Sequence, residues 1–78
     1  MSNMKYINFE NIGIVIFPEL VQHSEMAQML GHKPISAGFF NVADADDAHC
    51  FGKSVSLRID SRPEDTKELQ RNLRGYYE

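Results

Sequence analysis

Apolar residues gather in a few short runs along the chain, separated by polar punctuation. Tyr6-Ile7-Asn8-Phe9 and Ile14-Val15-Ile16-Phe17 read as two short strands, the second rich in β-branched residues. Between them, Glu10-Asn11-Ile12-Gly13 carries the turn formers Asn and Gly. This predicts an antiparallel hairpin with a loop of about three or four residues. Pro18 ends the second run. From Glu19 to Leu30 the spacing turns helical: Leu20, Met26, Ala27 and Leu30 fall on one stripe, with His23 among them. Gly31 and Pro34 stop that helix, and its start lies either at Pro18 or nearer His23 and Ser24.

Ile35 to Val42 and His49 to Ile59 read as a second hairpin, joined by the segment from Ala43 to Ala48. In its last strand Val55, Leu57 and Ile59 alternate with Ser54, Ser56 and Arg58, the clearest period of two in the chain. Ser61-Arg62-Pro63-Glu64 then predicts a capping box, with Ser61 as the cap and Glu64 three residues on. It opens a helix that places Leu69, Leu73, Tyr76 and Tyr77 on one side. The order β-β-α-β-β-α, with hairpin connections, predicts a two-layer α+β domain: an antiparallel four-stranded sheet with two helices on one face.

That architecture leaves an apolar surplus. Ile14 to Phe17 and Gly38 to Val42 do not alternate, whereas a sheet covered on one face should be polar on the other. One member of each pair, Val15/Ile16 and Phe39/Phe40, must then face outward. The expectation is that a second chain covers them, as a homodimer or as a protein partner. The candidate protein interface comprises Val15, Phe39 and Phe40, with Ser54, Ser56 and Arg58 from the polar side of the last strand.

Composition narrows the classes. Seventy-eight residues make one domain, 1–78, burying roughly 60–65% of its unfolded surface. Eight basic against eleven acidic side chains, a net of −3, argue against a general polyanion binder. A single cysteine cannot form an intramolecular disulfide. The longest apolar run, Ile14 to Phe17, is far short of the roughly 20 residues that cross a bilayer. The N-terminus lacks a secretory signal. The expectation is a cytoplasmic protein away from the membrane.

Candidate chemistry changes this little. Asp44, Asp46, Asp47 and His49, next to Cys50, are the densest group of metal-ligand types. As a calcium loop the segment fails, with His49 at the sixth position instead of Gly and Val55 at the twelfth instead of Glu. A solvated loop and no metal are expected there. His23 reads as a structural histidine, His32 as exposed, and Cys50 as a small core residue. No phosphate loop, dinucleotide fingerprint or nucleophile with its base is present, so neither catalysis nor a cofactor is expected. Lys67, Arg71 and Arg74 share one face of the last helix, with Arg62 and Arg58 just before it. They support an alternative reading, a small nucleic-acid-associated regulatory domain, although Glu64 and Glu68 pair with that face at helical spacing.

Ile14-Val15-Ile16-Phe17-Pro18, His23-Ser24-Glu25-Met26-Ala27, Ser36-Ala37-Gly38-Phe39 and Ser61-Arg62-Pro63-Glu64-Asp65 span most of the chain. In these segments it resembles short accessory proteins carried by phages, prophages and other mobile elements. The resemblance implies a stoichiometric binder of a host protein and carries over no functional residue. The leading expectation is therefore a non-enzymatic protein-interaction module that binds itself or a host protein.

Overall fold

A computed structural model of the chain describes residues 4–41 and 47–77, with side chains as far as Arg74. The elements are β1 (Met4–Phe9), β2 (Gly13–Phe17), α1 (His23–Leu30), β3 (Pro34–Asn41), β4 (His49–Phe51), β5 (Lys53–Ser54), β6 (Ile59–Asp60) and α2 (Pro63–Tyr77). The first four strands form an antiparallel sheet in the order β2-β1-β3-β4. Ile7 stands opposite Val15 on one side and Ala37 on the other. The α+β class and the four-stranded antiparallel sheet with two helices are as the pattern predicts. The first hairpin turns through Glu10–Ile12, with Gly13 at φ 78°, where a side chain would be strained. α1 takes the shorter of its two predicted starts. Glu25 accepts the Gln22 backbone N–H at 3.2 Å, and Gly31, left-handed at φ 71°, closes the helix with an N–H bond to the Ala27 carbonyl.

The helices lie on opposite faces of the sheet, which corrects the expected two-layer arrangement. Side chains alternate across a strand, so odd and even positions of β1 serve different layers. On one side Ile7, Phe9, Phe17 and Ala37 are buried with Val15, Val21, Met26, Ala27 and Leu57, beneath α1. On the other, Tyr6, Phe40, Ala48, Cys50 and Leu69 pack with Met4, Ile14 and Leu73, beneath α2. The chain itself thus covers most of the runs that are apolar on both sides, with Ile16 left exposed on β2.

Two further expectations are corrected. The predicted strand from His49 to Ile59 ends at Phe51. Gly52, at φ 76°, turns the chain into a short ribbon of β5 and β6 closed by Val55–Arg58. Here the period of two is a turn. Ser54 Oγ accepts the Leu57 N–H at 3.1 Å, the Val55 carbonyl accepts the Arg58 N–H, and Arg58 sits at φ 58°. Leu57 goes under α1 while Val55 is 78% exposed. The helix cap is displaced by one residue. α2 begins with Pro63, and Asp65, not Glu64, reaches back to the Arg62 N–H at 2.9 Å. Ser61 donates from Oγ to the Gly52 carbonyl at 2.7 Å instead. Val42, Tyr76 and Tyr77 fall outside the described residues or side chains. Among the described residues no helix is long and apolar enough to cross a membrane.

Candidate functional site

The predicted interface residues do not share a surface. Phe40 points under α2 and is 1% exposed, and Ser54 is buried as the acceptor of the ribbon turn. Val15 is half-buried under α1. Phe39, on the same face, is half-buried between His23 and Phe51. Ser56 and Arg58 are exposed on the ribbon, where Ser56 Oγ accepts the Ser24 N–H at 3.3 Å. The expected apolar sheet face is therefore closed. Phe40 and Ser54 drop out as surface residues because the helix and the turn cover them.

The basic residues are also dispersed. Arg62 folds back onto the N-terminus of α2 and contacts Asp65 at 3.4 Å through Nη2. Lys67 and Arg71 are exposed on the outer side of α2, Arg74 is exposed with an interaction of its own, and Arg58 lies away on the ribbon. Asp44 and Asp46 lie outside the described residues. Asp47 is exposed, and His49 stacks on Phe51 at 6.4 Å. Among the described residues no three His, Cys, Asp or Glu side chains come together to hold a metal.

The reactive residue types serve the interior. Asp65, fully buried, accepts the Tyr6 hydroxyl at 2.6 Å, Ser36 Oγ at 2.9 Å and Asn8 Nδ2 at 3.3 Å, besides both bonds from Arg62. Burial alone would raise its carboxyl. The donors from Tyr6, Arg62, Ser36 and Asn8 outweigh burial and hold it below the ordinary carboxylate range. Burial and the Asp65 carboxylate push the Tyr6 phenol far up. Burial, and then the charge of Asp65, raise the Cys50 thiol to about 11, so it stays protonated in the core. His23 is buried at the start of α1, with Phe17 and Phe39 edge-on at 5.4 and 5.6 Å. Desolvation lowers its pKa more than the hydrogen bond to the Gly38 carbonyl raises it, and the charge of Lys5 lowers it further. The neutral ring donates from Nε2 to that carbonyl at 2.8 Å.

What the fold leaves open is an edge. β2 ends the sheet, and among the described residues no strand pairs with its outer side. Its residues, Gly13 to Phe17, carry no charge, and the bulges or lysines that blunt natural edges are missing from it. Ile16 is 42% exposed on this strand, with Ile12 (46%) just before it and Leu20 (96%) just beyond Pro18. Reasoning from the sequence missed Ile12 and Leu20. Their signal was an isoleucine inside a turn and a leucine beside a proline, both too short of context to separate from a helix stripe. No family model matches the chain, and no curated protein or solved structure matches it significantly.

Proposed function

We propose that the protein is a non-enzymatic interaction module, acting in the cytoplasm, whose docking element is the outer edge of β2 and whose occupant is a second copy of the chain. The carrying observation is the uncharged, unpaired strand flanked by exposed Ile12, Ile16 and Leu20. An antiparallel strand is its own complement about a two-fold axis. An axis at Val15 sets Ile14 of each copy against Ile16 of the other, and β2 itself adds no like charges to the contact, although each chain carries a net −3. The two sheets would then join into one of eight strands. The locked roles of Asp65, Tyr6, His23 and Cys50 support a binding reading over a catalytic one, and a thiol held in the core suits a reducing compartment. A binding role, there toward a host protein, is also what the resemblance to phage and prophage accessory proteins implies.

Edge contacts of about 1,000 Å² or less bind weakly, so association is measured by sedimentation equilibrium at concentrations up to roughly 100 μM. The wild type is expected to dimerise, and Ile16→Lys to remain monomeric with an unchanged circular dichroism spectrum. A monomeric wild type across that range overturns the proposal, as does a variant that dimerises equally well.

A further inference from the structure

Where Lys5 of β1 stands beside Phe39 of β3, the layer beneath α1 is open. Between the first turn of α1 and the β5–β6 ribbon lies a cleft of about 330 Å³, within the size range of small-molecule sites. Its floor is apolar: Phe39, the edge of His23, and Val55, which is 78% exposed. The Phe39 ring is fixed from two sides, stacked on Phe51 at 6.1 Å and edge-on to His23. The rim is polar and cationic, formed by Lys5, Lys53, Gln22 and Ser56.

Among the described residues no acidic side chain lines this cleft. The nearest ones are accounted for. Glu25 is turned to the Gln22 N–H, and Asp60, opposite Lys53 across the ribbon, lines the neighbouring hollow, which Lys53, Val55 and Arg58 also line. Lys5 is held in place by one bond, from Nζ to the Val21 carbonyl at 2.9 Å, and has two further N–H groups to give. Lys53 is exposed and makes no ion pair among the described residues. A chain of net −3 therefore presents two positive charges around a concave apolar floor, with no negative one among the described lining residues. Concave walls concentrate such a field, and ammonium groups only donate, so they select acceptor-only anions.

We infer that this cleft binds a small organic anion: a phosphate or carboxylate head between Lys5 and Lys53, joined to an apolar ring that lies against Phe39 and Val55. The site does not depend on docking at β2, which contributes no residue to the cleft's described lining.

The test uses phenyl phosphate as the probe, titrated into the full chain at low salt and followed by backbone amide shifts. Saturable shifts are expected at Gln22, Lys53 and Ser56. Because a charge pair at about 4 Å in water gives roughly a fivefold factor, Lys53→Gln should weaken binding about fivefold, while Lys53→Arg should retain it. Val55→Ser should weaken phenyl phosphate but leave inorganic phosphate unchanged. Lys53 and Val55 are both exposed, so these variants keep the fold. No saturation by roughly 10 mM, equal binding by Lys53→Gln, or inorganic phosphate bound as tightly as phenyl phosphate each overturns the inference.

Discussion

Asp65→Asn is the most informative single change to the fold, because it removes one charge and almost no volume from the most connected buried group. In the native protein Oδ2 accepts Tyr6 and the Arg62 N–H, and Oδ1 accepts Ser36, Asn8 and Arg62 Nη2. An asparagine does least damage with its amide nitrogen in the Oδ1 position. There the Ser36 hydroxyl can rotate, the Asn8 amide can flip, and half-exposed Arg62 can swing to water. Tyr6 and the Arg62 N–H keep an acceptor, now neutral. Hydrogen bonds to a charged group contribute about 1.5–3 kcal/mol and neutral ones about 0.5–1.5, so each loses about 1 kcal/mol, or about 2 kcal/mol in all. Asp65→Ala, which strands three buried donors and the helix cap, should cost about 4–6 kcal/mol. Domains of this size hold only about 4–12 kcal/mol, so alanine comes near to unfolding the chain.

Urea denaturation followed by circular dichroism checks this. With a slope of about 1 kcal/mol per molar urea, Asn should lower the midpoint by about 2 M at pH 7. The sign of the pH dependence is fixed by the depressed carboxyl of the folded state. Its stabilisation is full above the unfolded carboxylate range near 3.9 and is lost as pH falls through the lower folded value. The gap between wild type and Asp65→Asn should therefore close in acid. A variant within 0.5 kcal/mol of wild type at pH 7, or a gap that stays constant down to pH 2, would refute the reasoning.

Two other predictions concern the backbone and His23. A Cβ at Gly38 would lie 2.5 Å from the Phe51 carbonyl oxygen, whereas one at Gly31 meets nothing within 4 Å. Gly38→Ala should therefore cost several kcal/mol by prising β3 from β4, and Gly31→Ala only about 1–2 kcal/mol for its left-handed φ. Equal melting temperatures for the two variants would contradict this. His23, depressed in the folded state, should contribute stability that is full above about pH 6.5 and lost as pH falls through its lower folded value. A ring NMR titration that places His23 at or above 6.5 would show that desolvation does not govern it.

The parts of the fold legible in the sequence are those decided locally. Gly13 and Gly31 mark the places where the chain needs a left-handed residue, and the elements on either side follow from them. Misreadings arose where side chains form local hydrogen bonds or where distance decides. Ser54 and Arg58 convert an alternating run into a turn, which periodicity alone does not distinguish from a strand. The two-sided run in β3 is covered on both faces, whereas β2 is an edge strand that leaves Ile16 exposed. A second chain is not needed over the face of β3, because α2 covers the face opposite α1, and nothing between Ile59 and Pro63 records that placement. No local signal singles out Asp65. Its partners Tyr6 and Ser36 are 59 and 29 residues away, beyond any spacing rule. The open cleft was invisible for the same reason, since Lys5 and Lys53 meet only after the ribbon folds over.

The Asp65 network also sets an order of events during synthesis. The chain emerges from its amino end, so β1, β2, α1 and β3 are made while the layer that covers Tyr6 and Phe40 does not yet exist. Until residue 65 and the helix behind it arrive, that face of the sheet is greasy, and the Tyr6, Asn8 and Ser36 side chains lack their shared acceptor. The two layers therefore become available in sequence: nearly all of the one beneath α1 is made by residue 37, and the one beneath α2 must wait for the last helix. The aspartate that secures the finished fold thus belongs to the half of the core that is completed last.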